Sequence, residues 1–174
     1  MNRAKIAKLV IACVVVFALI QLIPASRTNP PVVASRSLAA HMDVPPQVQN
    51  IFKRACSDCH SNETVWPWYS HVAPVSWYVA HDVNVGRSHV NLDNWEAQES
   101  PKEANEHLGL TCKLMQQGKM PPSDFLLMHK DARVSPADIN TVCAWTQKVA
   151  PDEEEGGGAD HHDHHEHDDH PEKD

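Results

Sequence analysis

Hydrophobic and polar residues divide the chain into four segments of different character. An apolar run from Leu9 to Ile23 follows three basic residues and contains one polar residue, Gln21. A proline-rich stretch without periodicity comes next, then a region of helical periodicity, and then a tail without one large apolar residue. The pattern predicts a membrane segment at 1–26, a linker at 27–45, one folded domain at 46–150 and a disordered tail at 151–174.

Within the folded domain, apolar residues recur at helical spacing and no stretch alternates convincingly with period two. The apolar positions of residues 46–56 follow the spacing i, i+3, i+4 and i+7, which predicts a first helix. Pro74 fits the first turn of a second helix that we expect to stop at Gly86. Ser100 and Ser135 each precede a proline and an acidic residue three positions on, a typical helix start. These signals predict an all-α domain of four or five short helices with long connections.

The N-terminal segment has the features of a membrane anchor. Its basic residues precede the apolar run and none follows before Arg27, so the positive-inside rule keeps the N-terminus in the cytoplasm. The run is short for a membrane span, yet no clean A-x-A cleavage site follows it. We therefore expect an uncleaved single-pass helix in the cytoplasmic membrane, with the folded domain on the periplasmic side. A cleaved signal peptide is the alternative.

The negative charge of the chain lies mainly in its tail. The chain has 174 residues and a formal net charge of −8. Residues 152–174 hold 11 acids and one lysine, whereas residues 27–151 are almost neutral, with 12 acids and 11 bases. A folded part without a basic excess gives no reason to expect nucleic-acid binding. The length likewise excludes a large multi-domain enzyme.

The sequence Cys56-Ser-Asp-Cys59-His60 carries the clearest chemical signal. Two cysteines spaced C-x-x-C with histidine next are the pattern of covalent haem attachment, in which both thiols add to haem vinyl groups and the histidine binds iron. On this composition the pattern arises by chance about 0.01 times, so a coincidence is a poor explanation. The alternatives are a thioredoxin-like pair, a disulfide or half a zinc site. A thioredoxin pair lacks its βαβ context, and zinc lacks a second ligand pair.

An exported domain with this motif resembles the c-type cytochromes, whose iron usually takes methionine as its other ligand. Gly118-Lys-Met120-Pro-Pro looks like the methionine loop of that family, which makes Met120 the expected distal ligand. The alternatives are two other methionines and five histidines: Met115, Met128, His71, His81, His89, His107 and His129.

Further segments narrow the resemblance. They are Cys-Ser-Asp-Cys-His-Ser-Asn-Glu-Thr-Val-Trp-Pro-Trp-Tyr-Ser, Ala-Pro-Val-Ser-Trp, Asp-Val-Asn-Val-Gly-Arg, Asn-Leu-Asp-Asn-Trp and Gly-Lys-Met-Pro-Pro. Together they resemble a family of single-haem, membrane-anchored proteins known as haem-binding domain proteins, over about residues 45–150. The similarity also extends to the anchor and to the Arg27-Thr-Asn-Pro-Pro start of the linker. The resemblance implies a cytochrome c-like bundle around one covalently attached haem c, preceded by a transmembrane helix. The histidine-rich tail is a departure from that family.

Other residues are candidates for supporting roles. A flat apolar wall suits a haem, and four aromatic residues near the motif are candidates for it, with ordinary core packing as the alternative: Trp66, Trp68, Tyr69 and Trp77. Arg87 is a candidate partner for a haem propionate, or else a solvated arginine. Cys112 and Cys143 lie on the apolar faces of two predicted helices. In an oxidising compartment we expect them to form a disulfide, with two buried thiols as the alternative.

The resulting prediction is a one-electron carrier that performs no substrate chemistry and has an unidentified redox partner protein. A sensor or peroxidase is the first alternative, and it requires a displaceable distal ligand with polar groups such as His71 or His129. The second alternative is metal binding by the tail, where closely spaced imidazoles and carboxylates suit divalent cations. The tail histidines concerned are His161, His162, His164, His165, His167 and His170.

Overall fold

The computed structural model describes residues 2–97 and 100–150, and within these ranges every regular element is helical. The α-helices are α1 (Arg3–Ile20), α2 (Leu38–His41), α3 (Pro46–Ala55), α4 (Ser57–His60), α5 (Val75–His89), α6 (Pro101–Gln116), α7 (Phe125–Met128) and α8 (Pro136–Val149). Short 3-10 turns lie at Ala34–Arg36, Trp68–His71, Trp95–Ala97 and Lys130–Ala132. The prediction of an all-α fold is confirmed for this part of the chain, where α3, α5, α6 and α8 are the domain's four longer helices.

The core lies where α3, α6 and α8 meet. Each helix contributes apolar residues that are almost fully buried: Val48, Ile51 and Phe52 from α3, Leu108 and Met115 from α6, and Val142 and Trp145 from α8. The rings of Phe52 and Trp145 meet edge to face with centroids 5.8 Å apart. The Trp145 indole N–H donates to the carbonyl of Asp43 at 3.0 Å, so the ring is buried without leaving its donor unpaired.

The starts of the last two long helices agree with their sequence signals. Ser135 and Asp138 form a complete capping box, in which each side chain accepts from the other residue's backbone N–H. The Ser100 hydroxyl accepts from the backbone N–H of Glu103 at 3.2 Å. A disulfide joins Cys112 of α6 to Cys143 of α8, 31 residues apart in sequence. It closes the same α6 and α8 interface that the core residues fill.

The predicted end of the second helix is wrong. We expected Gly86 to stop it, but α5 continues to His89, and Gly86 is buried inside the helix. The missing side chain serves packing instead. A Cβ atom at Gly86 would lie 2.5 Å from the carbonyl oxygen of Cys59, so only glycine lets α5 approach the motif this closely.

The prediction of a transmembrane helix is not supported. Helix α1 is 18 residues long and carries three basic residues in its first six positions, Arg3, Lys5 and Lys8. The apolar remainder from Leu9 to Ile20 is about 18 Å long at 1.5 Å per residue, against a hydrocarbon core of about 30 Å. Among residues 2–97 and 100–150, no helix has the length and apolar character for a membrane crossing.

The end of the expected membrane segment and the start of the expected linker lie against the domain. We name residues 21–31 the N-terminal strap. The Gln21 side chain pairs with both backbone groups of Ala73, donating to the carbonyl at 3.1 Å and accepting from the N–H at 2.9 Å. Arg27 donates to the carbonyl of Ser70 at 3.1 Å, and Asn29 donates to the carbonyl of Thr64 at 2.9 Å. The strap therefore follows the segment that comes directly after the cysteine motif.

Candidate haem site

The cysteine motif occupies the turn between two helices. Helix α3 ends at Ala55, Cys56 leaves the helical conformation, and α4 supplies one further turn that carries Cys59 and His60. The backbone N–H groups of both Cys59 and His60 donate to the carbonyl of Cys56, at 3.1 and 2.9 Å. This single turn places the two cysteines and the histidine on one short, internally bonded element.

The His60 ring is held by the backbone of the chain that follows α5. Its Nδ1 lies 3.0 Å from the carbonyl oxygen of Val90. Because a carbonyl only accepts, Nδ1 carries the hydrogen, and Nε2 keeps the lone pair that a metal requires. Burial lowers the pKa of His60, which favours the neutral imidazole. Such orientation of one ring nitrogen by a backbone carbonyl is typical of histidines that ligate metals.

The two motif cysteines are half-buried free thiols. Burial is the main cause that raises the pKa of Cys56 to about 12 and that of Cys59 to about 11. For Cys59, the neighbouring carboxylates of Asp58 and Asp82 raise the pKa further. Both residues are therefore neutral thiols at neutral pH, in contrast to the exposed, low-pKa cysteines of redox enzymes.

Asp58 of the motif and Asp93, which follows α5, hold the loop that comes after the motif. Asp58 accepts from the backbone N–H of Val65 at 3.0 Å, and its own carbonyl accepts from the Thr64 hydroxyl at 2.7 Å. The Asp93 carboxylate accepts from the backbone N–H of Asn62 at 2.8 Å. The loop from 61 to 65 is thereby fixed by polar contacts from Asp58 on one side and Asp93 on the other.

Arg87 joins this loop to the N-terminal strap. Its Nε donates to the carbonyl of Ser61 at 2.7 Å, and its Nη1 donates to the carbonyl of Thr28 at 2.8 Å. Its Nη2 donates to Asn29 Oδ1 and to the Thr64 hydroxyl, both at 2.8 Å. Burial lowers the pKa of Arg87. All three guanidinium nitrogens thus have protein partners, and pairing with a haem propionate stays a prediction.

The aromatic candidates lie beside the motif at the surface. Trp66 and Trp77 are half-buried, and both indole N–H groups donate to the strap, at 3.1 Å each. Trp68 has 73% of its surface exposed and meets Tyr69 edge to face, with centroids 5.8 Å apart. The N–H group of Trp66 therefore has an amide partner and that of Trp77 a backbone partner, and the most exposed ring of the four is that of Trp68.

Met120 lies in a segment that we name the methionine loop, residues 118–129. Gly118 takes a positive φ of 64°, which ends α6, and the N–H groups of Lys119 and Met120 donate to the carbonyl of Leu114 at 2.9 and 3.3 Å. The Met120 side chain is half-buried against the core. Met115 is 2% exposed within that core. The start of the loop is thereby fixed to the end of α6.

The other ligand candidates differ in exposure. Met128 is 58% exposed, and His71, His81 and His89 are exposed too. His129 is half-buried, and His107 lies half-buried on α6. The six tail histidines lie outside the described residues, so their metal binding stays a prediction.

Sequence reasoning missed the acidic group beside the motif. On α5, Tyr78 donates its hydroxyl to the carboxylate of Asp124, and Asp82 lies close to both. The hydrogen bond to Asp124 is the main cause that raises the pKa of Tyr78 to about 12, and it lowers the pKa of Asp124. Burial, and then Asp124, raise the pKa of Asp82. Tyr78 and Asp82 are four residues apart on one helix face, but Asp124 is far from both in sequence, and no local spacing signalled its meeting with them.

The chemistry of the donor set fits a haem. Two free thiols and an oriented imidazole occupy one helical turn, and large apolar side chains lie exposed in the segments near it. Those include Val65, Trp68, Val75 and Tyr78. A haem bound beside the motif would cover apolar surface of this kind. A flat apolar group with vinyl substituents and an iron matches both features.

Comparison with curated proteins and with solved structures finds no match. Among protein families, the family described as "Haem-binding domain" matches residues 15–148. The match includes the N-terminal strap, the cysteine motif, α5, the methionine loop and nearly all of α8. Since it spans more than three quarters of the 174 residues, the chain belongs to the haem-binding domain family.

Proposed function

We propose that this haem-binding protein is a one-electron carrier with a single covalently attached haem c. Cys56 and Cys59 would each form a thioether, as the thiol S–H adds across a vinyl double bond, with sulfur bonding to one carbon and hydrogen to the other. His60 and Met120 would ligate the iron. The observation that carries the proposal is the bond from His60 Nδ1 to the Val90 carbonyl, which leaves Nε2 free to bind a metal beside two free thiols.

Haem bound in this way supplies an Fe(III)/Fe(II) couple. The chain's own residues would orient the imidazole, exclude water and hold the sulfur of Met120 at the other side. A thioether is a soft ligand that favours Fe(II) and raises the reduction potential relative to a second histidine. Because both axial positions would be filled, substrate chemistry at the iron is not expected, and the partner would be another redox protein.

Denaturing mass spectrometry tests the attachment. The chain purified from a host that attaches haem c should be heavier by one haem, and replacement of Cys56 and Cys59 by serine should leave haem that acid-acetone extracts. Release of the haem from the parent chain by acid-acetone would contradict covalent attachment.

Matched methionine variants test the ligand. Met120→Ala should abolish the sulfur-to-iron charge-transfer band of the oxidised protein, lower the potential and create carbon monoxide binding. Met128→Ala, an exposed methionine of the same loop, should leave all three unchanged. If the parent lacks the band and binds carbon monoxide readily, the carrier function is refuted.

That last result would favour the second candidate function, a haem sensor or peroxidase. One observation supports it: the Tyr69 hydroxyl lies 3.4 Å from Nε2 of His129, a polar pair between the motif side and the methionine loop. Polar groups of this type assist binding of peroxide or a diatomic gas when the distal position is open.

We also propose that the domain functions outside the cytoplasm. The Cys112–Cys143 disulfide supports this location, because stable disulfides are typical of oxidising compartments. Basic residues followed by an apolar run at the N-terminus support export. Fractionation of cells, with the redox state of the two cysteines trapped by alkylation, tests the location.

A further inference from the structure

The methionine loop is anchored firmly at its start and just beyond its end. Its first residues are bonded to the end of α6 through the carbonyl of Leu114. Beyond His129, the Arg54 guanidinium of α3 donates to the carbonyls of Asp131 and Arg133 at 3.1 and 2.6 Å. Between these anchors, Met120 packs against the core, whereas Asp124 and His129 face elements next to the cysteine motif.

Two tyrosines form side-chain hydrogen bonds with the methionine loop between its anchors. Tyr78 of α5 donates to the carboxylate of Asp124, near the middle of the loop. Tyr69 of the Trp68–His71 turn meets Nε2 of His129 at 3.4 Å, at the end of the loop. Tyr78 belongs to α5, which contacts Cys59 through Gly86, and Tyr69 belongs to the turn that packs against α5. The two bonds therefore tie the loop to the element beside His60.

The partner of Tyr69 is itself held in one orientation. The His129 ring stacks on Phe125 with centroids 4.0 Å apart and an interplanar angle of 15°. Its Nδ1 lies 3.1 Å from the carbonyl oxygen of Phe125 and so carries the hydrogen. In the neutral ring, Nε2 is then an acceptor, and the Tyr69 hydroxyl donates to it.

The charges near each tyrosine favour an intact phenol. Asp82 and Asp124 face Tyr78, while Asp58 and Cys59 face Tyr69. The carboxylates raise the pKa of Tyr78 to about 12, and burial raises the pKa of Tyr69. The hydroxyl hydrogens needed for both bonds are thus present throughout the neutral range.

From this arrangement we propose that Tyr78 and Tyr69 are positioning residues for the distal side of the haem. Their bonds to Asp124 and His129 hold the methionine loop closed, so that Met120 stays near the iron and small ligands are kept out. The inference rests on the proposed His60 and Met120 ligation. It adds that access to the distal position is controlled by residues outside the loop.

Imidazole binding to the oxidised holoprotein tests the proposal, because imidazole competes with a methionine ligand. Tyr78→Phe removes the donor, and we expect imidazole to bind about fivefold more tightly, the shift that loss of one ordinary hydrogen bond gives. Asp124→Ala should match it, whereas Asp124→Asn, which keeps an accepting oxygen, should restore the parental affinity. Ser123→Ala, an exposed neighbour of Asp124, is the control. Parental affinity in Tyr78→Phe would overturn the proposal.

A second measurement separates this inference from the proposed function. Amide hydrogen exchange at Leu126 and Leu127, which bond within the loop to Pro122 and Asp124, reports loop opening whatever ligates the iron. Faster exchange in Tyr78→Phe and Tyr69→Phe than in the parent is expected. If the parent lacks the sulfur-to-iron band, the carrier function fails and exchange alone decides about the tyrosines. Equal amide exchange in the parent and the variants would show that Tyr78 and Tyr69 are not positioning residues.

Discussion

Replacement of Gly86 by alanine tests whether close approach of α5 holds the motif in place. The new Cβ would lie 2.5 Å from the carbonyl oxygen of Cys59, 3.1 Å from its carbonyl carbon and 3.2 Å from its Cβ. An ordinary van der Waals contact requires at least 3.4 Å. The two nearest of these atoms belong to the backbone, and the Cβ of Cys59 is fixed directly to it, so none can rotate aside and α5 and the motif must separate by roughly 1 Å.

Two effects of opposite sign determine how much Gly86→Ala changes the free energy of unfolding. Alanine is favoured over glycine inside a helix by about 1 kcal/mol. Overpacking of a tight interface costs about 1 to 3 kcal/mol, and a backbone contact lies toward the upper end. We expect Gly86→Ala to lower the free energy of unfolding by about 1 to 2 kcal/mol. Because His60 follows Cys59 directly, we also expect a smaller fraction of the chain to carry covalent haem.

Urea denaturation followed by tryptophan fluorescence measures the stability, and denaturing mass spectrometry measures the haem content. Asn84→Ala, at an exposed position of the same helix, is the control, because it raises helix propensity without approaching the motif. If Gly86→Ala is as stable as the parent and carries as much haem, the close approach does not position the motif.

Three further predictions concern stability. Replacing Cys112 and Cys143 together by alanine should lower the free energy of unfolding by about 3 to 4 kcal/mol on the loop-entropy model for their 31-residue separation; unchanged urea midpoints would contradict it. The hydrogen bond from the Ser135 N–H is the main cause that lowers the pKa of Asp138. The stability that the Asp138 carboxylate contributes is therefore present above the unfolded carboxyl pKa of about 3.9 and is lost as pH falls through the folded pKa. The difference in urea midpoint between parent and Asp138→Ala should therefore be largest near neutral pH, and a difference that grows in acid would refute this. Asn29→Ala should lower the free energy of unfolding by about 2 kcal/mol, because it removes three side-chain hydrogen bonds. Thr28 accepts a hydrogen bond only through its backbone carbonyl, so Thr28→Ala should leave the urea midpoint unchanged.

Local signals in the sequence predicted much of the helical domain. The pair Ser135 and Asp138 predicted a helix start because a cap depends on residues three positions apart, and the structure has the complete box. The periodicity of residues 46–56 likewise matched α3, whose buried residues include Val48 and Phe52. Such features need no knowledge of the rest of the fold.

Features that depend on distant partners were missed or misjudged. Gly86 was taken as a helix stop, since glycine often ends helices, but its lack of a side chain serves contact with Cys59, 27 residues earlier. The orienting group for His60 is the backbone carbonyl of Val90, which any residue type would provide. The bond from Tyr78 to Asp124 spans 46 residues. None of these has a signature at short spacing.

The N-terminal strap is the clearest case of structure without periodicity. Gln21 is the one polar residue in the apolar run, and its amide pairs with both backbone groups of Ala73 in a way that no apolar side chain could reproduce. Asn29 follows in a proline-rich stretch and accepts from both Trp66 and Arg87. A coil fixed by scattered amide side chains has the composition of a linker, because its partners lie elsewhere in the chain. The family match begins at residue 15 and so includes the strap. The strap therefore belongs to the haem-binding unit, and its bonds to Ala73, Trp66 and Arg87 help to hold the loop that follows the cysteine motif.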